Sequence, residues 1–103
     1  MKSYWIVQVD VNDPEAYKAY MTANAAPIGK FGGRFLVRGM DHKAVEGGAR
    51  SRLVMVEFPS AQAAGECYNS PEYSSAKSIR DGLSVTDFVI APGYDGPQPA
   101  GAR

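Results

Sequence analysis

Cysteine, histidine and an excess of charge of one sign are all scarce or missing in this chain. The single cysteine, Cys67, rules out an intrachain disulfide, so nothing in the sequence indicates an oxidising compartment. Eleven basic residues balance eleven acidic ones. This formal net charge of zero argues against a nucleic-acid-binding domain and against attraction to an anionic membrane. The one histidine, His42, has no cluster of further ligands at metal-binding spacing, which argues against a metal site.

Long apolar runs are missing as well. None approaches the roughly 20 residues that a membrane helix needs, and residues 1–5 lack the apolar core of a signal peptide. We therefore expect a cytoplasmic protein with no membrane partner. A chain of 103 residues is expected to form one domain, which we place at residues 1–92. Residues 93–103 are dense in glycine and proline, and this composition predicts a flexible tail.

Hydrophobic periodicity and helix-start signals predict the secondary structure. Period-2 alternation of apolar residues predicts strands at residues 4–11, 34–38, 51–58 and 84–91. A capping residue followed by proline and glutamate starts a helix twice, at Asp13-Pro14-Glu15 and at Ser70-Pro71-Glu72. A further short helix is predicted over residues 61–69. Pro27 lies late in the first helical region and predicts a kink or a break at Ala26.

The order of these elements predicts an α+β fold. Right-handed crossovers give a ferredoxin-like βαββαβ arrangement, in which a four-stranded antiparallel sheet carries its helices on one face. The strands are nevertheless apolar on both faces. Tyr4 and Ile6 lie opposite the valine face of the first strand, and Leu53 and Met55 lie opposite Val54. A bare apolar face predicts association, so we expect a homodimer in which two sheets pack face to face.

Several segments together resemble the DUF1330 family, small bacterial domains of uncharacterised function. The matching segments are Tyr4-Trp5-Ile6-Val7, Asp13-Pro14-Glu15-Ala16-Tyr17, residues 32–39, Val56-Glu57-Phe58-Pro59-Ser60 and Tyr68-Asn69-Ser70-Pro71-Glu72-Tyr73, with Arg80 beyond them. The resemblance covers residues 4 to about 91. It implies a dimeric α+β barrel and a homodimer. It implies no reaction, because that superfamily includes cofactor-independent monooxygenases, lactone isomerases and haem-binding enzymes. Family members typically carry a second glycine after Gly39, where this chain has Met40.

Two arginines stand out in the strand that the glycines of residues 32–39 enclose. Arg34 and Arg38 are four residues apart, so a regular strand points both the same way, with Leu36 between them. Guanidinium groups suit planar anions such as carboxylates and phosphates. The alternative is that these arginines form structural ion pairs, with Glu57 or Asp87 as partners.

A candidate ligand pocket lies between the helices and the sheet. Tyr20 and Asn24 share the inward stripe of the first helix, and a buried amide must find hydrogen bonds. The residues predicted to bind a small molecule are Tyr20, Asn24, Arg38, Tyr68, Tyr73 and Arg80. The alternative is a tyrosine-rich core with Arg80 in a surface ion pair.

His42 and Glu57 are the weak catalytic candidates. His42 has an unperturbed pKa near neutrality, but it lies in the loop of residues 39–50, which we expect to be exposed. Glu57 ends a buried strand, so its carboxylate is either paired with an arginine or has a raised pKa. No cofactor is expected. A haem-dependent activity, with His42 as the axial ligand, is the least favoured alternative.

Three hypotheses for function follow. The first is a homodimer that binds a small aromatic or acidic molecule. The second is an enzyme resembling a cofactor-independent monooxygenase or an isomerase, and the third is a non-catalytic structural dimer. A binding protein should have a water-filled cavity bordered by the candidate groups, whereas a structural dimer should have those groups paired and the cavity filled by side chains.

Overall fold

The chain folds as an antiparallel sheet with its helices packed on one face. The computed structural model describes residues 1–101. Within this part of the chain the order is β1 (Ser3–Val11), α1 (Pro14–Ala23), α2 (Ala25–Lys30), β2 (Arg34–Gly39), β3 (Arg52–Phe58), α3 (Ala61–Asn69), α4 (Pro71–Arg80) and β4 (Ser84–Pro92). The sheet order is β2-β3-β1-β4, and every neighbouring pair is antiparallel. The ferredoxin-like prediction is confirmed. No helix in residues 1–101 has the length and apolar character to cross a bilayer.

The helices start where the capping residues predict, and Pro27 breaks the first helical region into two helices. Asp13 accepts a hydrogen bond from the Ala16 amide, and Ser70 caps α4 in the same way. The predicted position of the break, Ala26, is wrong, because α1 ends at Ala23 and the turn lies at Asn24. Proline has no N–H to donate to the carbonyl four residues earlier, so the helical ladder is interrupted a turn before the proline.

Trp5 lies at the centre of the core between the helices and the sheet. Its ring lies 4.8 Å from that of Phe58 and 5.0 Å from those of both Tyr73 and Phe88, measured between centroids. Its indole N–H donates a 3.1 Å hydrogen bond to the Ala64 carbonyl. The polar atom of this buried side chain is therefore satisfied, and the indole holds α3 against β1.

A β-bulge separates the two arginines of β2. The register shifts between Phe35 and Val37, so that Arg34 lies opposite Glu57 while Arg38 lies opposite Val54. Residues 54 and 57 of β3 face opposite sides of the sheet, because side chains alternate along a strand. The prediction that both arginines point the same way is therefore wrong. One additional residue in β2 reverses the alternation, which is the usual effect of a bulge.

The sheet face away from the helices, here called the open face, has an apolar centre between two charged ends. Its apolar side chains include Ile6, Leu53, Met55, Val85 and Val89, the last of which is 55% exposed. At one end Arg50 lies 2.9 Å from Asp10 and 2.7 Å from Asp87, measured from nitrogen to oxygen. At the other end Lys2 and Arg34 pair with Glu57.

Beyond β4 the chain forms one backbone hydrogen bond to the domain and one local hydrogen bond of its own. The Gly93 amide donates a 2.8 Å hydrogen bond to the Lys2 carbonyl, and the Tyr94 hydroxyl donates one to the Pro97 carbonyl. Residues 102 and 103 of the predicted tail lie outside the described residues. The division into a domain of residues 1–92 and a flexible tail therefore stays a prediction.

Candidate functional site

A small cavity lies between the first helical region and the inner face of the sheet. Its walls include side chains from α1, β1, β2, β3 and α4, among them Trp5, Tyr17, Tyr20, Met21, Asn24, Arg38, Arg52 and Tyr73. Its volume is about 20 Å³. A cavity of this size has room for about one water molecule, so a larger ligand can enter only if side chains in the wall move.

Two tyrosine hydroxyls form a buried pair at this cavity. The hydroxyl oxygens of Tyr20 and Tyr73 lie 2.6 Å apart and join α1 to α4. Burial raises the pKa of Tyr73, and the adjoining Tyr20 raises it further. Burial also raises the pKa of Tyr17. Tyr17 and Tyr73 are therefore protonated at neutral pH and can act as hydrogen-bond donors.

Asn24 contributes a polar atom with no partner. The side chain is buried, and its Oδ1 atom has no hydrogen bond to any group in residues 1–101. The residue lies at the turn between α1 and α2 that Pro27 causes, and it lines the cavity. A buried acceptor without a partner costs free energy, so the amide favours a water molecule or a polar ligand in the cavity.

Three arginines lie on this side of the sheet, each from a different element. Arg38 of β2 donates a 3.1 Å hydrogen bond to the Met21 carbonyl and stacks on a neighbouring aromatic ring. Arg52 of β3 lies beside Val9 of β1 in the sheet register. Arg80 of α4 is only 9% exposed, and its guanidinium carbon lies 5.4 Å from the centroid of the Tyr20 ring.

These three arginines lack carboxylate partners. Within residues 1–101, Arg38, Arg52 and Arg80 form no ion pair, whereas Arg34 and Arg50 on the open face do. Arg80 is buried and Arg52 is half-buried, whereas Arg38 is exposed. For the first two, the lack of a counter-ion is costly, since each has lost part of its hydration. The helix side of the sheet therefore presents three arginines without acidic partners in residues 1–101, two of them in the cavity wall.

The structure brings most of the predicted ligand-binding residues together. Tyr20, Asn24, Arg38 and Tyr73 line the cavity, and Arg80 packs beside Tyr20 without lining it. Tyr68 does not line the cavity. Its ring instead packs against Tyr73 and Phe88 at the far side of the aromatic core, with Lys77 over its face.

The two weak catalytic candidates lie away from the cavity lining. Glu57 is on the open face, where a hydrogen bond from Lys2 and the charges of Lys2 and Arg34 lower its pKa. The expected exposure of His42 is wrong: the ring is half-buried, and its Nε2 atom lies 2.7 Å from the Arg50 carbonyl oxygen. Whether either residue takes part in chemistry stays a prediction.

Arg52 is the cavity residue that sequence reasoning missed. Val54, Val56 and Phe58 lie on one face of β3, and the same period-2 alternation in the sequence extends back to Arg52. The signal was therefore available in the sequence.

Cys67 is buried, and burial raises the pKa of its thiol to about 12, which makes a nucleophilic role unfavourable. Residues 1–101 contain no cluster of histidine, cysteine and acidic side chains arranged to hold a metal ion.

Comparisons with known proteins place the chain in a family and a fold. Residues 2–94 match the model of a domain of unknown function, DUF1330. None of the curated proteins matches the sequence. A protein of unknown function from Rhodopseudomonas palustris superposes with a TM-score of 0.73 at 18% identity, over 92% of this chain and 84% of that one.

Two further solved structures are of proteins named for an activity. SnoaB, a cofactor-independent oxygenase from Streptomyces nogalater, superposes with a TM-score of 0.66 at 11% identity, over 98% of each chain. A putative antibiotic biosynthesis monooxygenase from Nitrosomonas europaea superposes with a TM-score of 0.61 at 17% identity, over 90% of this chain and 98% of that one. At these identities the similarity shows the fold alone.

Proposed function

The chain belongs to the DUF1330 family, and we propose that it is a homodimer that binds a small anionic aromatic molecule on the helix side of its sheet. One observation carries this proposal. Arg38 and Arg52 line the cavity and Arg80 packs beside Tyr20 of its wall, and none of the three forms an ion pair to a carboxylate in residues 1–101. Guanidinium groups bind planar carboxylates strongly, and more so where water is partly excluded.

The cavity lining supports an aromatic ligand. Trp5, Tyr17 and Phe35 supply ring faces, and the buried Asn24 amide supplies a polar contact. The cavity has room for only about one water molecule, so binding requires a wall residue to move. Met21 is suited to this, because an unbranched thioether side chain changes conformation at low cost.

The homodimer is supported by the open face. The molecule is a slab whose Cα atoms extend 46 × 33 × 16 Å, so it is only two layers thick. Apolar side chains such as Ile6, Met55 and Val89 occupy the centre of the uncovered face. Covering a face of this kind with a second copy buries apolar area on both sheets, and twofold dimers are the commonest assembly.

Fluorescence of Trp5 provides the test of ligand binding, because this is the only tryptophan and it lines the cavity. Benzoate is expected to change the emission in a saturable way, and neutral benzamide is expected to bind at least about tenfold more weakly. Arg52→Ala and Arg38→Ala should each weaken benzoate binding by about tenfold or more. Arg34→Ala is the matched control, since that arginine pairs with Glu57 on the opposite face.

Equal binding of benzoate and benzamide would contradict the proposal. So would a loss in the Arg34→Ala variant as large as the loss in Arg52→Ala. Circular dichroism on each variant separates a lost contact from a lost fold.

An oxygenase or isomerase is the second candidate. Tyrosine hydroxyls beside unpaired arginines can stabilise an oxyanion that develops on a phenol or an enol, which is the charge such reactions create. SnoaB, with the same fold, is a cofactor-independent oxygenase. The test is dioxygen uptake with a panel of hydroxynaphthalenes. Uptake above the buffer rate that Arg52→Ala abolishes supports an oxygenase, and uptake at the buffer rate contradicts one.

The structural-dimer hypothesis accounts for part of the site. The cavity is nearly filled by side chains, as that hypothesis expects, but the arginines are not paired with acids as it also expects. The charge balance supports the binding proposal over the structural one, because a purely structural site has no reason to concentrate unpaired cations.

A further inference from the structure

A second depression lies directly outside the cavity, where β1 ends and both β3 and α1 begin. It has a volume of about 260 Å³, against about 20 Å³ for the cavity itself. We call it the outer pocket. Its apolar wall includes Val11, Pro14 and Met40. Since an apolar cavity of about 150 Å³ can hold benzene, the outer pocket has room for a ring with a short chain.

The outer pocket and the cavity share a wall. Tyr17, Met21 and Arg52 line both spaces. Met21 and Arg52 are half-buried, and Arg52 forms no ion pair within residues 1–101 that a movement would have to break. Displacing the Met21 side chain would therefore join the two spaces at the point where Arg52 lies.

The positively charged side chain available to a ligand in the outer pocket also lies at this shared wall. Lys18 lies at the rim, but its ammonium group is 3.0 Å from Glu15 and already has a counter-ion. Arg52 is thus the cation available to an acidic ligand, and the apolar wall lies next to it. A ligand that uses both features carries one acid group and an apolar body longer than a single ring.

We propose that the cavity and the outer pocket form one binding site whose ligand is an amphiphilic monocarboxylate, with its carboxylate on Arg52 and its apolar body against Val11, Pro14 and Met40. This inference rests on the proposed function, because it assigns Arg52 the same anion-binding role. It adds the class of ligand, an arylalkanoate or a similarly elongated acid, and the place where its body lies.

The test compares benzoate with 4-phenylbutanoate, which has the same acid group and ring joined by three methylenes. The longer acid is expected to bind roughly 10- to 50-fold more tightly to the wild-type protein, from burial of the added methylenes. Met40→Ala should reduce the ratio of the two affinities by about fivefold. Val45→Ala is the matched control, because Val45 lies in the same loop, is 82% exposed and does not line the outer pocket.

Methyl NMR of the methionines gives a second readout on the same samples. The chain contains four methionines, of which Met21 and Met40 line the outer pocket while Met55 is on the open face. We expect 4-phenylbutanoate to shift the Met21 and Met40 methyl signals, and benzoate to shift that of Met21 alone. The signals of Met1 and Met55 are internal controls and should not move.

The outcomes separate this inference from the function on which it rests. If the two acids bind equally, or if Met40→Ala behaves like Val45→Ala, the outer pocket does not hold the ligand body and the inference is overturned. The proposed function then stands where benzoate binding still depends on Arg52. If neither acid binds the wild-type protein, both are overturned.

Discussion

At the scale of single residues, the buried hydroxyl pair of Tyr20 and Tyr73 is a sensitive point of the fold. Tyr20→Phe removes one hydroxyl and leaves the other without its 2.6 Å partner, which should cost about 1–2 kcal/mol of unfolding free energy. The double variant with Tyr73→Phe should cost less than the sum of the two single variants, because no unpaired hydroxyl remains. Urea unfolding of the four proteins measures the cycle, and strictly additive losses would contradict the pairing.

The Glu57 carboxyl tests which arginine of β2 faces it. Its pKa is lowered from 4.5, chiefly by the hydrogen bond from Lys2 and also by the charge of Arg34. We expect Lys2→Ala to raise this pKa most and Arg34→Ala to raise it less. Arg38→Ala should leave it unchanged, since Arg38 lies on the other face of the sheet. Carboxyl NMR titration gives all three values, and an effect of Arg38→Ala equal to that of Arg34→Ala would contradict the bulge.

The Glu57 carboxyl also makes the stability of the protein depend on pH. A folded-state pKa below the unfolded value means that the unfolded chain binds the proton more readily. The contribution of Glu57 to stability is therefore complete above pH 4.5 and is lost as the pH falls through its folded-state pKa. Lys2→Ala should reduce this acid-dependent loss, which denaturant midpoints between about pH 2 and 6 would show.

At the scale of elements, the turn between α2 and β2 depends on Gly33. A Cβ atom there would lie 2.7 Å from a side-chain carbon of Ile28, 2.8 Å from one of Phe58 and 3.0 Å from the Ile28 carbonyl oxygen. Gly33→Ala should therefore destabilise the protein by about 1–3 kcal/mol. Gly29→Ala is the control, because a Cβ atom in that helix meets nothing within 4 Å.

Thermal unfolding distinguishes the two glycine variants. Gly29→Ala is expected to be neutral or to stabilise by up to about 1 kcal/mol, since alanine is the better helix former. Equal melting temperatures for the two variants would contradict the close packing of α2 against the start of β2.

The strands and helices also show which features of the fold can be predicted from the sequence. Alternation, capping residues and Pro27 were sufficient for the strands, the helix starts and the existence of a break. The bulge in β2 was not predictable, because Leu36 carries no local signal for it and the shift depends on pairing with β3. The faces of Arg34 and Arg38 were consequently assigned wrongly.

The site was predictable to a similar degree. The helical stripe placed Tyr20 and Asn24 at the cavity, and alternation in β3 could have placed Arg52 there. The burial of Arg80 could not be read from the sequence, because it depends on how α4 lies over α1 and the sheet. The volume of the cavity depends on side-chain conformations, which no local pattern specifies.

At the scale of the whole molecule, the apolar centre of the open face predicts that two copies of the chain associate through it. Val89→Asp places a carboxylate at its apolar centre, and burying that charge without a partner should raise the dimer dissociation constant by about 100-fold or more. Ile79→Asp is the matched control, since Ile79 is an exposed apolar residue of α4, on the helix side of the sheet. Light scattering over a dilution series measures both variants, and a monomeric wild-type protein at micromolar concentration would contradict the dimer.

A crystal structure of the protein with benzoate would show directly which arginine binds the ligand. We expect the carboxylate within hydrogen-bonding distance of Arg52 on the helix side of the sheet, with Met21 displaced from its position in the cavity wall. Benzoate bound instead at Arg34 or Arg50 on the open face, or no bound benzoate at saturating concentration, would contradict it.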